Sequence, residues 1–445
     1  MGPSMQMSDL RQGLQPEEAG NDMYRMISEL YPLCRSLTGD GVRRTLASVA
    51  RVVPLDMHEV PSGTQVFDWT IPNEWNVRDA WVKDRQGRRV IDFQVSNLHL
   101  LSYSVPIHRR VTLTELKEHL FTLPDRPDWI PYRTSYYTDN WGFCLSQRQM
   151  EALEDDEYEV CIDATLEPGH LTYGECYLPG QTQDEVLLTT HICHPSLAND
   201  NLSGISLLAW LGARLSGLSL RYSYRLLFIP GTLGSITWLA RNEAATARIK
   251  HGIVLSGVGD PGPLTYKRSR QGAADIDRCV AYVLGAAGDD HAIIDFTPYG
   301  YDERQFCSPG FDLPVGRLGR TPHGEYPEYH TSADDLEFVR PQALGDSLAK
   351  LLDVLAVVED NRRFRNLKPM CEPQLGRRGL YRAIGATIDH QSVELGFLWM
   401  LNLSDGDHSV LDIARRSGLS FEMLVRAADL LLTHGLLEEV GDKAA

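Results

Sequence analysis

An α/β fold is predicted for this chain: a mainly parallel mixed sheet flanked by helices, with an inserted small β-rich domain and a C-terminal winged-helix-like module. Three features of the 445 residues carry the prediction. Between about residues 185 and 256, short apolar runs alternate with segments of helical spacing, the order of elements that builds parallel sheets. Over residues 58–125 the chain switches to aromatic and β-branched runs separated by Pro- and Gly-rich turns. Past residue 378, a serine cap and a glycine turn frame helical patterns of the helix-turn-helix kind.

Taken in order, Met23, Met26, Ile27 and Leu30, then Val42, Leu46, Val49 and Val53, have helical spacing and are interrupted at Thr38-Gly39-Asp40-Gly41, which predicts two helices. Strand-like runs at residues 65–70, 80–83 and 90–93 fill the insertion, so the main domain is drawn as 20–57 and 126–365. Within it, residues 186–190, 225–229 and 252–256 are expected to be buried strands, and 202–215 and 236–247 to be helices. In such sheets ligands gather beyond the carboxyl ends of the strands, where His191 to Asp200 and Asp260 lie. A helix over 344–359 and a linker over 361–378 lead to the third unit, 378–445. There Ser420 is the expected N-cap and Phe421, Leu424, Val425, Ala428 and Leu431 form one apolar face before Gly435. Residues 380–445 hold five Lys/Arg against ten Asp/Glu, so the module is read as a packing or homo-oligomer surface rather than a DNA reader.

The bulk numbers narrow the function classes. A chain this long, 43% apolar and 23% charged, can bury a large core divided among two or three domains. A net charge of -17 opposes attraction to nucleic acid or anionic membrane and leaves small molecules or proteins as partners. No run approaches the roughly 18 consecutive apolar residues that a membrane helix needs. The opening Met1-Gly-Pro-Ser-Met5 reads as a vector-derived scar, and no secretory signal follows it. Eight dispersed cysteines without a tight spacing framework are expected to be reduced, in a cytoplasmic protein.

The chemistry concentrates in Thr190-His-Ile-Cys-His-Pro-Ser-Leu-Ala-Asn-Asp-Asn-Leu-Ser-Gly204. Two imidazoles and a carboxylate on a strand-to-helix loop suit zinc, which takes nitrogen and oxygen ligands in a compact site. The plain alternative is a pair of satisfied histidines near a helix cap. A second segment, Glu328-Tyr-His-Thr-Ser-Ala-Asp-Asp335, supplies His330 and Asp334 and strengthens the metal reading.

Strand, His, Asp-Asn-x-Ser-Gly, a later Asp and a distal Tyr-His-Thr-x-x-Asp resemble the co-catalytic zinc aminopeptidases over residues 185–340. The phrases His-x-Cys-His-Pro, Asp-Glu-Arg-Gln-Phe-Cys-Ser-Pro-Gly and Glu-Pro-Gln-Leu-Gly-x-Arg-Gly-Leu-Tyr are similar to a bacterial subgroup. That subgroup carries an inserted β domain and a trailing winged helix, and many members are labelled as polysaccharide-biosynthesis proteins. The resemblance implies one or two zinc ions, with Asp200 as bridging carboxylate, His191 and Asp260 on one metal, His330 on the other and His194 as an extra ligand. Apart from the resemblance, Asp260 in Gly-Val-Gly-Asp-Pro-Gly reads as a plain turn residue, while Asp334 is expected to orient a loop or cap a helix. Cys193 stands where the aminopeptidases place an Asp that orients a ligand, or is simply a small buried residue.

One departure bears on catalysis. Phe228-Ile-Pro-Gly-Thr-Leu-Gly-Ser235 has Gly231 where the subgroup has Glu, so a carboxylate that would take a proton from water or bind zinc is missing there. Glu303, with Glu325 and Glu328 as rivals, is a candidate substitute. Asp302 matches the family's Ser-Asp position, and Arg304 is a candidate for binding a substrate carboxylate or for pairing with Asp302. The sequence therefore favours a zinc-dependent hydrolase of an amide in a small amino-acyl or peptide-like substrate. Its rivals are a non-hydrolytic zinc biosynthetic enzyme and a pseudo-enzyme acting as a binding module.

Overall fold

Every residue of the strand Glu185–His191 is buried, as is every residue of Ser223–Ile229, so neither shows the alternation of a half-exposed strand. These two lie at the centre of an eight-stranded sheet in a computed structural model that describes residues 5–380 and 390–441. The strand order is Asp56–Pro61, His170–Leu178, Ser223–Ile229, Glu185–His191, Ile249–Leu255, Val315–Gly319, Leu264–Lys267 and His291–Ile294. The central strands run parallel: Glu185–His191 pairs with both Ser223–Ile229 and Ile249–Leu255, which in turn pairs with Val315–Gly319. Antiparallel partners join further out, at His170–Leu178 and Leu264–Lys267, so the sheet is mixed with a parallel middle. Helices Gly204–Leu215 and Leu233–Arg241 each follow a central strand, the strand-to-helix order the sequence predicted.

The two opening helices are Pro16–Leu30 and Asp40–Val49. Their separation is enforced at Gly39, whose φ of 94° is poorly tolerated by other residues and whose added Cβ would lie 2.2 Å from the Trp75 carbonyl.

The inserted sheet is ordered Arg89–Asp92, Glu74–Lys83, Glu157–Glu167 and Ile107–Thr112. Its third strand comes from well beyond residue 125, while Asp56–Pro61 pairs in the main sheet, so the segment 58–125 is not a self-contained insertion. The physical reason is visible in Tyr158, Val160, Ile162 and Ala164: these alternate residues are buried against Trp75, Val82, Ile91 and Phe143, and the sheet cannot close its core without them.

The chain divides into two compact units at Leu351/Leu352. In the smaller unit Arg363–Asn366 is the middle strand of three, between Asp405–Ser409 and Leu437–Val440, so the linker drawn over 361–378 includes part of the module. Its helices are His390–Leu403, Val410–Ser417 and Phe421–Thr433, while residues 381–389 of the expected third unit lie outside the described residues. Ser409 and Ser420 cap the last two helices, accepting from the amides of Asp412 and Met423, and Gly418 ends the first at a φ of 72°. The exposed positions of Phe421–Thr433 are Glu422, Arg426, Asp429 and Thr433, and Asp429 is already paired with Arg362. One arginine against two carboxylates cannot neutralise a row of phosphates. Full-length protein in a mobility-shift titration with mixed-sequence duplex is therefore expected to show no binding below about 10 µM at physiological salt.

Among the described residues, no helix is long and apolar enough to cross a membrane.

Candidate metal centre

The loop after Glu185–His191 is built around Asp200. The backbone at Asp200 and Asn201 is non-helical, and the regular helix begins only at Gly204. Each residue of the Asp-Asn-x-Ser-Gly motif has a separate task. The Asn201 amide donates to Thr190 Oγ1 at 2.7 Å and to the Leu255 carbonyl at 3.2 Å, fastening the ends of two neighbouring strands. Ser203 donates to the Asn199 carbonyl and accepts from the Val258 amide, tying the loop to the next strand's exit. Gly204 is required by close packing, since a Cβ there would lie 2.5 Å from Thr190 Oγ1. Asp334 accepts from the backbone amides of Asn199 at 2.6 Å and Asp200 at 2.9 Å, so it orients the loop, as expected. Arg35, also buried, donates to the carbonyls of His194 and Pro195 and braces the other side.

Asp200 is fully buried and three imidazoles converge on it. His191 Nε2 is 2.8 Å from Oδ1, His330 Nε2 is 3.0 Å from Oδ2, and His194 Nε2 is 3.7 Å from Oδ2. His191, His194 and Asp200 form a group whose ligand atoms all lie within 4.8 Å of one another. About a third of the His330 side chain is exposed, yet its Nε2 is sealed from solvent. That nitrogen and Asp200 Oδ2 approach to 3.0 Å without the angles of a hydrogen bond, and both are buried polar atoms without a hydrogen-bond partner. Two ligands at ~2.0 Å from one zinc ion stand roughly 3.3 Å apart at tetrahedral angles, so this orphaned pair fits a shared cation. The donor set of three imidazoles and one carboxylate fits zinc.

Aromatic rings wall the site. Tyr301 stacks on His191 at 4.8 Å and its hydroxyl donates to Asp200 Oδ1 at 3.3 Å. Tyr132 lies against both His194 and His330, and its amide donates to the His330 carbonyl at 2.7 Å. Tyr329 stacks on His330 at 3.9 Å. Tyr132 comes from an aperiodic stretch with no sequence motif, and nothing local marks it as part of the site.

The remaining candidates separate by position. Asp260 is a turn residue: it accepts from Thr321 Oγ1 at 2.6 Å, the Gly262 amide at 2.9 Å and Asn199 Nδ2 at 3.1 Å, and it lies outside the histidine group. Protein donors thus take the oxygens that a metal would need, and we do not place it in the ligand set. Asp302 lies across from His191: a Cβ built on Gly231 would be 3.0 Å from His191 Cβ and 3.1 Å from Asp302 Oδ2. Ser235 donates to Asp302 Oδ1 at 2.7 Å, while Oδ2 is buried without a partner. Glu303 is also buried, but its Oε1 is bound by Lys267 at 2.9 Å. Arg304 is half-buried, with Nε lacking a partner, and among the described residues no ion pair joins it to Asp302. Cys193 Sγ lies 3.4 Å from His194 Nδ1 and 3.5 Å from the Gly231 carbonyl. Burial pushes its thiol well up, so it stays protonated.

Burial alone would raise the Asp200 carboxyl, but His194, His191 and His330 outweigh it and hold the group well below the usual range. Burial pushes His194 down to about 3, so its imidazole is neutral and free to ligate at neutral pH. Burial pushes Asp302 up to about 6, against the pull of His191 and Ser235. For a histidine with a lowered folded pKa, the unfolded chain binds the extra proton between pH 6.5 and about 3, so stability falls as pH falls through that window. Asp302 acts in the opposite sense between 3.8 and about 6. Comparison with His194→Gln isolates the histidine: in EDTA, the wild-type melting midpoint is expected to drop by roughly 2 °C more than the variant's between pH 7 and 5. Parallel pH dependence of the two proteins would remove His194 from this role.

A sequence profile described as a domain of unknown function (DUF4910) matches residues 24–361, and a winged helix-turn-helix profile matches 362–439. A Clostridium acetobutylicum protein, provisionally named for polysaccharide biosynthesis with an aminopeptidase-like domain, is 51% identical over 423 residues, covering 95% of this chain and 97% of its own length. A crystal structure from the same organism, provisionally named a peptidase, superposes with a TM-score of 0.91 at 49% identity, covering 98% of this chain and 100% of that one. A zinc aminopeptidase from Bacillus subtilis superposes with a TM-score of 0.55 at 14% identity over 76% of this chain and 94% of that one. At that identity the likeness speaks to the fold, which is the aminopeptidase-like α/β fold expected from the motifs. By sequence and by fold, the chain belongs to the family described as a domain of unknown function (DUF4910), an aminopeptidase-like family that here carries a winged helix-turn-helix unit behind its α/β domain.

Proposed function

We propose that this protein is a zinc-dependent hydrolase of an amide bond in a small amino-acyl or peptide-like substrate, acting in a biosynthetic setting such as the one its Clostridium acetobutylicum relative is named for. The observation that carries the reading is the buried Asp200 carboxylate with His191 on one oxygen and His194 and His330 on the other. These four residues would hold the metal, and Asp200 spans both sides of the centre as a bridging carboxylate would. Zinc bound there supplies Lewis-acid polarisation of a carbonyl and acidifies water. The chain's own contribution to proton transfer is assigned to Asp302. Ser235 fixes one of its oxygens and the other is unengaged beside His191, and a carboxyl pushed up to about 6 is matched to accepting a proton near neutrality. Asp302 thereby approaches, from another segment, the space that a carboxylate at position 231 would enter. Glu303, the other base considered, holds the buried Lys267 with Oε1 and has Oε2 buried without a partner, but it is Asp302 whose carboxylate lies beside Gly231 and His191.

Gly231 also favours a second reading, a non-hydrolytic zinc enzyme, because its position offers no carboxylate. Untagged, zinc-loaded protein assayed against a panel of amino-acyl amides and p-nitroanilides separates the two. At least one substrate is expected to turn over at about 1 s⁻¹ or faster, with loss in His330→Ala. Stoichiometric zinc without turnover of any amide would favour the non-hydrolytic reading.

A further inference from the structure

Four arginines are buried among the described residues: Arg35, Arg225, Arg317 and Arg320. Three are satisfied by oxygen acceptors. Arg35 donates to three backbone carbonyls, Arg225 is clamped by Glu175 and Glu185, and Arg320 meets Asp346 and the carbonyls of Gly262 and Ala343. Arg317 differs. It is 3% exposed, its Nε has no partner, and among the described residues its guanidinium is hydrogen-bonded to a nitrogen, His323 Nδ1, at 3.0 Å. Among the described residues no carboxylate pairs with it.

Its neighbours increase the imbalance. Arg317 stands directly opposite Lys267 on the adjacent antiparallel strand, and Lys267 is buried too. The carboxylate of this pair, Glu303, binds Lys267, which also donates to the Tyr299 carbonyl at 2.7 Å. Two buried cations thus share one anion, an arrangement that disfavours folding unless something else compensates it. Because a guanidinium has no acceptor, it must donate to His323 Nδ1, which leaves the other ring nitrogen of His323 as a second donor.

The cluster adjoins the metal centre. The Arg317 guanidinium carbon lies 5.5 Å from the Tyr301 ring, whose other contacts include His191 at 4.8 Å and His323 at 5.1 Å. His323 is half-buried and contacts Tyr299, which is 72% exposed, so the cluster lies one side chain below the surface. We propose that Arg317, with His323 beside it, binds a carboxylate of the substrate, so that the amide-bearing substrate is an anionic one, such as an N-acyl amino acid or an acidic amino-acyl compound. The assignment rests on the hydrolase reading for the amide alone. The anion site follows from the unpaired guanidinium.

The test is isothermal titration of full-length protein with succinate, its neutral analogue succinamide and inorganic phosphate, in EDTA and again after zinc loading. In EDTA, wild-type protein is expected to bind succinate at least tenfold more tightly than succinamide, with Arg317→Gln abolishing the preference and Arg317→Lys weakening it at least threefold. The thermal midpoint of Arg317→Gln should be no lower than wild type, because a merely structural arginine would be missed and an unpaired one would not. Equal binding of succinate and succinamide, or a preference unchanged in the Gln or Lys variant, would overturn the assignment. Arg317-dependent binding of phosphate without succinate would overturn the carboxylate. A preference seen only with zinc would transfer the anion site to the metal centre. Should Arg317→Gln fail to fold, the Lys variant decides. Amide turnover is not among these readouts, so a failed hydrolase assay leaves this result separate.

Discussion

Asp200→Asn is expected to empty the metal centre. Asp200 is the one residue that all three imidazoles approach, and each of its oxygens serves a different side of the site. Asparagine keeps the shape but removes the charge, and one of its two head atoms becomes an NH₂ that has no lone pair to offer a cation and can instead donate to an imidazole nitrogen. Removing a ligand should cost at least the roughly 10–100-fold in metal affinity typical of losing a supporting partner, and more here because the charge itself is lost. Elemental analysis of untagged protein is expected to give about one or two zinc ions per wild-type chain and below about 0.2 for Asp200→Asn, with circular dichroism showing that the variant remains folded. Wild-type protein below that threshold and not restored by added zinc would end the metal reading. A variant that keeps its zinc would mean that the histidines bind without the carboxylate.

Asp302→Asn should keep zinc and lose chemistry. The carboxylate is buried, fixed at one oxygen by Ser235 and unengaged at the other, so the asparagine fits the same space while forfeiting proton acceptance. The expected loss in kcat is roughly 10²–10⁴-fold, with KM changed by less than about threefold, measured on whichever amide the wild type cleaves. Gly231→Glu is the companion variant. Its Cβ would lie 3.0 Å from His191 Cβ and 3.1 Å from Asp302 Oδ2, tighter than ordinary contacts, so the new side chain must push aside the residues that the chemistry needs. It should lower both thermal midpoint and turnover. Wild-type kcat in Asp302→Asn would eliminate Asp302 as the base, and higher turnover in Gly231→Glu would identify the missing carboxylate as a true loss.

Much of this site was legible because its parts are short-range or bound to a motif. His191, His194 and Asp200 lie within ten residues on one strand-to-helix loop, and the Asn, Ser and Gly that follow Asp200 each make a local bond or close contact that fixes their identity. Asp260 was the residue that the motif order could not resolve: a strand-end Asp can face a metal or close a turn, and only the donors around it, Thr321 and Asn199, decide. Glu303 and Asp302 are adjacent in sequence, yet one faces Lys267 and the other the space beside Gly231 and His191. The strand Glu157–Glu167 carried a readable alternation, but its membership in the inserted sheet depends on pairing with Glu74–Lys83 across more than seventy residues of chain.

The sequence alone determined the elements and the chemistry on offer: buried parallel strands from continuous apolar runs, helices from their spacing and caps, and a nitrogen and oxygen donor set from one motif and a distal histidine. These are properties of neighbouring residues, and local sterics, periodicity and side-chain chemistry suffice to set them. Tertiary structure decided which side chains meet. It brought His330 and Tyr132 to the loop at His191, gave Asp260 to a turn, separated Asp302 from Glu303, and left Arg317 buried opposite Lys267 without an anion. The reason is that a buried group's role is set by the partners around it, and those partners come from strands and loops far apart in the chain, where no local pattern records them.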